Sequence, residues 1–128
     1  MSDKKPVIVE IDDEVDFTAM MVDYFEPRGY DISIANTGVM GIELIKNKKP
    51  DVIILDLKMP GINGDEVYAL AKRMQPKVQI IFVTAYDDGG KTKARLLDGG
   101  AFACLDKPVP SLTVLEDTVV EAFTQAQL

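Results

Sequence analysis

Apolar and polar positions follow two rhythms along the chain. Short β-branched runs, Val7 to Ile11, Asp31 to Ala35, Val52 to Leu55, Val78 to Val83 and Ala101 to Leu105, alternate with longer stretches of helical spacing. That alternation predicts five strands and five helices, arranged as repeated βα units around a parallel sheet. The third and fourth runs are apolar almost throughout, as strands covered on both faces must be. Between them Val67, Leu70 and Met74 fall at i, i+3 and i+7, and Leu112, Leu115, Val119, Ala122 and Phe123 form a similar stripe; each stripe is expected to face the sheet. Asp12 or Asp13 is placed to cap the first helix, Pro27 and Gly29 to end it, and Pro50 and Pro76 stand between a helix and the next strand.

No repeat beyond the βα unit, low-complexity tract or linker interrupts the 128 residues, so residues 1–128 read as one α/β domain. With 47% hydrophobic residues and a mean hydropathy of +0.05, the chain can bury a core without disulfides or structural metal. A net charge of -7 and a pI near 4.5 argue against nucleic acid or a membrane surface as partner, since both require a basic face. Apolar runs such as Val52 to Leu55 are far short of the roughly 20 residues that cross a bilayer. Met1 to Pro6 is short and polar, which predicts no signal peptide, and the single cysteine, Cys104, cannot form an intrachain disulfide. A cytoplasmic location is expected. The chain has no histidine, which removes Ser-His-Asp and Cys-His schemes and His-ligated metals. Any chemistry must use carboxylates, hydroxyls and lysines.

In a parallel α/β sheet, ligands bind beyond the carboxyl ends of the strands. The first strand ends in Glu10-Ile11-Asp12-Asp13, the third in Leu55-Asp56, the fourth in Val83-Thr84-Ala85 and the fifth in Leu105-Asp106-Lys107-Pro108. Asp12, Asp13 and Asp56 cannot crowd together as anions without a compensating charge. A hard divalent cation supplies it, and carboxylates with carbonyl and water oxygens suit Mg²⁺. Asp56 is then free to accept a phosphoryl group, whose oxygens would be neutralised by Mg²⁺, Lys107 and Thr84.

With those residues in place the chain resembles the receiver domain of two-component response regulators, the family that includes chemotaxis-type single-domain regulators. The likeness rests on four motifs in order: Val7-Ile8-Val9-Glu10-Ile11-Asp12-Asp13-Glu14, Asp51 to Gly61 around Asp56, Phe82-Val83-Thr84-Ala85-Tyr86, and Asp106-Lys107-Pro108. The resemblance implies a flavodoxin-like doubly wound sheet of strand order 2-1-3-4-5. It also implies that Asp56 is the phosphoacceptor, that Asp12, Asp13, Asp56 and the Lys58 carbonyl hold Mg²⁺, and that Thr84 and Lys107 contact the phosphoryl oxygens. The donor it implies is a phosphohistidine on a sensor histidine kinase or a histidine phosphotransfer protein. The domain would be a signalling switch that catalyses its own modification and its reversal, with output through the face made by the fourth helix, fifth strand and fifth helix. In this family the Lys107-Pro108 bond is often cis.

The sequence departs from the family pattern in places. Most receivers carry an aromatic residue three positions before the lysine, where this chain has Cys104. Strand alternation would set Phe102 on the same face, able to cover the surface of the missing aromatic. Cys104 itself reads as a small buried hydrophobe. Lys58 and Tyr86, two residues after the acceptor and two after the threonine, are both large and are expected to shield the phosphoryl group from water. Gly89-Gly90 after Asp87-Asp88 reads equally as a hinge for an ordering switch or as an ordinary turn.

Other chemistries fit less well. Ala85 to Thr92 matches a relaxed P-loop, but Asp87 and Asp88 inside the loop would repel phosphates. A haloacid-dehalogenase-like phosphatase needs an aspartate at the position of Lys58. A flavin mononucleotide site needs a hydroxyl- and glycine-rich loop where Asp12-Asp13-Glu14 stands. A receiver-like interaction module that is never phosphorylated remains as the alternative.

Overall fold

Strand residues at alternate positions meet opposite helix layers, and the placement of the helices follows from that. The computed structural model describes residues 4–128; Met1 to Asp3, part of the polar stretch read above as no signal peptide, lie outside the described residues. The elements are β1 (Val7–Ile11), α1 (Val15–Phe25), a 3-10 turn (Glu26–Arg28), β2 (Asp31–Ala35), α2 (Gly38–Lys48), β3 (Val52–Leu55), α3 (Gly64–Met74), β4 (Gln79–Thr84), α4 (Lys91–Asp98), β5 (Ala103–Asp106) and α5 (Leu112–Gln127). All strand pairs are parallel and the order is β2-β1-β3-β4-β5, the doubly wound topology expected from the resemblance.

One face of the sheet, through Ile8, Ile54, Ile81 and Val83, packs against Phe17, Met21 and Phe25 of α1 and Leu115, Val119 and Ala122 of α5. The other, through Val9, Ile11, Ile53, Leu55, Ile80 and Phe82, packs against Ile45 of α2, Val67 and Ala71 of α3 and Leu96 of α4. In α3 the seat is Val67 and Ala71, while Leu70 is only half-buried, so the stripe is narrower than the i, i+3, i+7 reading suggested. Among the described residues no helix is long and apolar enough to cross a membrane.

The fourth and fifth strands start later than the apolar runs indicated. Val78 donates its N–H to the Gln75 carbonyl in the turn, and Ala101 donates to Leu96 at the end of α4. The helix ends hold those residues, and regular strand begins at Gln79 and Ala103. For the same reason Phe102 precedes the alternation of β5. It packs with Ala103 and Leu105 on the α1 and α5 side, whereas Cys104 belongs to the α2, α3 and α4 side. Phe102 therefore does not share a face with Cys104 and cannot cover its surface. Cys104 is a buried free thiol.

Candidate functional site

Because β1, β3, β4 and β5 are consecutive neighbours, the residues that leave their carboxyl ends meet at one edge. Asp12 follows β1, Asp56 follows β3, Thr84 ends β4 and Lys107 follows β5. Carboxylate oxygens of Asp12, Asp13 and Asp56 all lie within 4.8 Å of one another. Asp12 and Asp56 are buried, at 1% and 7% exposure, while Asp13 faces solvent.

Backbone bonds fix these positions. Asp12 donates its N–H to the Ala35 carbonyl and Asp56 to the Ile11 carbonyl, both extending the sheet ladder by one step. Asn36 Nδ2 donates to the Asp12 carbonyl at 2.8 Å and to Thr18 Oγ1 at 3.0 Å, pinning the start of α1 to the loop. The N-cap of α1 is Glu14, without a side-chain cap. Asp12 instead accepts the Glu14 N–H through Oδ1 at 2.8 Å, a local turn that leaves the other oxygen for the site, so neither Asp12 nor Asp13 is the cap anticipated above. Beneath Asp56, a Cβ on Gly64 would stand 2.5 Å from the Asp56 carbonyl oxygen, so only glycine lets α3 start this close to the end of β3.

The Lys107 ammonium donates to Asp12 Oδ2 at 2.7 Å, ion-pairs with Glu14, and stands 3.9 Å from Asp56 Oδ2 and 4.7 Å from the centre of the Phe17 ring. The Lys107-Pro108 bond is cis, and the Lys107 N–H bonds the Thr84 carbonyl at 3.0 Å. Thr84 Oγ1 accepts the Tyr86 N–H at 3.2 Å, which leaves its hydroxyl proton to donate. Lys58 Nζ lies 4.4 Å over the Tyr86 ring, and both residues line a cleft of about 340 Å³ over Asp56, with Glu14, Thr84 and Lys107. The backbone N–H of Lys58 works to favour the ionised form of the Asp56 carboxyl. Gly89 and Gly90 have φ of 77° and 90°, the left-handed region, and the side chains of Asp87 and Asp88 accept the N–H groups of Gly89 and Thr92.

Burial and the neighbouring Asp12 push the Asp56 carboxyl up to about 6, against the opposing pull of Lys107. Burial likewise raises Asp12, although Lys107 hydrogen-bonds to it. For Lys107, burial works to lower the ammonium, and the bonds to Asp12 and Glu14 outweigh it and hold its pKa above the ordinary value. Each direction reports the same excess of negative charge in a partly dry pocket.

Two further carboxyls belong to this charge system. Glu14, beside the paired aspartates, is the second partner of Lys107. Glu10 is fully buried on β1, its two oxygens find no partner among the described residues, and burial followed by the Asp12 charge pushes it up to about 9. A glutamate inside an otherwise apolar strand run, two residues before Asp12, is the sequence signal that would have placed it under the site.

The edge therefore offers three hard oxygen donors to a divalent cation, one ammonium and one hydroxyl around a buried carboxylate. The family model of the response regulator receiver domain matches residues 8–119. Over 76 residues the chain is 38% identical to the luminescence regulatory protein LuxO of Vibrio campbellii, covering 59% of this chain and 17% of that protein. It is 27% identical over 81 residues to sporulation initiation phosphotransferase F of Bacillus subtilis, covering 63% and 65%. The chain thus spans about a sixth of the LuxO regulators it matches. Among solved structures, the signal receiver domain of a putative LuxO repressor protein from Vibrio parahaemolyticus superimposes with a TM-score of 0.87 at 27% identity, over 97% of this chain and 94% of that one. A CheY-like receiver domain from Methanospirillum hungatei gives 0.85 at 27% identity, over 97% and 98%. Strand order, site edge and family match agree, and the chain belongs to the response regulator receiver domain family of two-component signalling.

Proposed function

We propose that residues 1–128 act as one phosphoacceptor receiver in a cytoplasmic two-component or phosphorelay system. Asp56 takes a phosphoryl group from a phosphohistidine on a histidine kinase or phosphotransfer protein. The observation that carries this reading is the gathering of Asp12, Asp13 and Asp56 within 4.8 Å, with Lys107 3.9 Å from Asp56.

The donor set is hard oxygen only, which fits Mg²⁺: Asp12, Asp13, Asp56 and the Lys58 carbonyl would hold it, and when bound it neutralises charge on the phosphoryl oxygens. The Asp56 carboxylate attacks phosphorus in line, the O–P bond forms as the N–P bond breaks, and the electron pair goes to the imidazole nitrogen. Lys107, 3.9 Å from Asp56 Oδ2, would neutralise the incoming phosphoryl oxygens, and the Thr84 hydroxyl has a proton to donate to them. Water attack on phosphorus later returns the Asp56 carboxylate. Thr84 and Lys107 end the strands from which α4 and α5 spring, so drawing them toward the phosphoryl group shifts the α4, β5 and α5 face between two conformations.

The test is incubation with Mg²⁺ and acetyl phosphate followed by intact mass, with Asp56→Asn and a metal-free sample alongside. One phosphoryl addition that needs both Asp56 and metal is expected. No addition, repeated with a panel of histidine kinases, would return the chain to a module that works by contact alone.

A further inference from the structure

The Lys107 ammonium is claimed by more than one carboxylate. It donates to Asp12 Oδ2 at 2.7 Å and ion-pairs with Glu14, while Asp56 Oδ2, at 3.9 Å, is beyond hydrogen-bond reach. The Phe17 ring, its centre 4.7 Å away, covers another side of the ammonium. Lys107 is thus held by two carboxylates, neither of which is the acceptor.

Helix capping does not explain Glu14. It stands at the N-cap of α1, where short side chains such as Ser, Thr, Asn and Asp are favoured, and its side chain makes no cap bond. Its backbone N–H goes to Asp12 Oδ1 at 2.8 Å, a bond that almost any residue could make. The helix dipole favours an acid at this end, but Asp16 in the first turn already supplies one. Nor is stability the reason, because the Glu14 side chain is 62% exposed and such a pair adds little. Its carboxylate instead reaches back over the site, where Glu14 lines the cleft above Asp56 with Lys58, Thr84, Tyr86 and Lys107.

We propose that Glu14 is a positioning residue that holds the Lys107 ammonium back from Asp56 and so slows filling of the acceptor, a role that rests on the phosphoacceptor reading. A cation shared by Asp12, Asp13 and Asp56 would take up the Asp12 charge and loosen its bond to Lys107. Glu14 is outside that donor set, so it is the anchor that remains. To meet the phosphoryl oxygens as the O–P bond forms on Asp56, the ammonium must exchange Glu14 for them. Whatever the Glu14 pair is worth is then subtracted from what Lys107 contributes to the transition state.

Glu14→Ala tests this, since it removes no cap bond and leaves Lys107 with Asp12 and Asp56 as counter-charges. Crystals of the variant grown without divalent cation should show Lys107 Nζ about 3 Å from an Asp56 oxygen. With Mg²⁺ and acetyl phosphate, which loses acetate as Asp56 attacks phosphorus, the acceptor should fill about three- to fivefold faster than in the unsubstituted chain. Asp16→Ala removes an exposed carboxylate from the same turn and should leave both the Lys107 position and the rate as they are. An ammonium that keeps its distance from Asp56 in Glu14→Ala overturns the proposal at any rate, because a gain without movement is charge repulsion alone. An unchanged or slower rate overturns it too, as does an equal gain in Asp16→Ala. If the unsubstituted chain takes no phosphoryl group at all, the phosphoacceptor reading fails, and the place of Lys107 in the Glu14→Ala crystals still decides whether Glu14 holds it.

Discussion

The Lys107 ammonium donates to Asp12 at 2.7 Å while standing 3.9 Å from Asp56, so in this structure it compensates Asp56 from a longer distance and is held by Asp12. Both side chains are nearly buried, at 10% and 2% exposure. Removing one member of such a pair leaves an uncompensated charge in a dry place.

Lys107→Met is therefore expected to destabilise the metal-free protein by about 2–4 kcal/mol in urea denaturation at neutral pH. It should also bind Mg²⁺ about tenfold tighter, because the ammonium no longer repels the cation. Weaker Mg²⁺ binding in the variant, read by calorimetry, would contradict the competition between the two cations for Asp12.

Glu10 makes stability depend on pH. A carboxyl whose folded pKa lies above its unfolded value favours the native state while protonated, and that advantage is lost as pH rises between the two values. For Glu10 the window runs from 4.5 to about 9. Its burial should cost on the order of 3 kcal/mol by pH 7 relative to acid conditions. Glu10→Gln should flatten the decline, and parallel pH-stability curves for the two proteins would show that Glu10 does not contribute.

Asp56 follows the same sign over a narrower range, 3.8 to about 6. The proposed cation site uses its carboxylate, so Mg²⁺ affinity should fall as pH drops below about 6, with a proton released on binding. Calorimetry in two buffers of different ionisation enthalpy reads that proton directly. Asp56→Asn should reduce the release, leaving at most the share of Asp12, which burial also raises, and stabilise the metal-free chain above pH 6.

The stacked Lys58 and Tyr86 pair lines the cleft over Asp56. Tyr86→Ala widens that cleft and leaves Asp56 in place, so the proposed aspartyl phosphate should hydrolyse a few-fold faster. An unchanged lifetime would reduce the stack to a surface contact.

Gly64→Ala brings a methyl group against the Asp56 carbonyl oxygen at 2.5 Å and Leu57 Cα at 2.7 Å, both of them backbone. Neither neighbour can yield without moving the backbone that follows β3. A loss of about 1–3 kcal/mol is expected together with slower phosphorylation, and a neutral variant would show that α3 can slide.

The sequence by itself determined the βα alternation, because runs such as Val52 to Leu55 must be covered on both faces. It also determined that the candidate site residues Asp12, Asp56, Thr84 and Lys107 lie at the strand ends, because all follow or end apolar runs at the edge where a parallel sheet binds ligands. It did not determine which strand neighbours which, since order is a property of crossovers and not of any run; the resemblance supplied that. Only the tertiary structure decided that Phe102 and Cys104 face opposite layers, because helix-end bonds at Ala101 delay the start of β5 and break the alternation. Only it showed Glu14 under Lys107, and Gly64 against Asp56, since these contacts join residues from different elements. The charge on Glu10 was legible as a residue, but its cost was not: desolvation depends on what surrounds a group in space, and β1, an interior strand between β2 and β3, holds Glu10 fully buried.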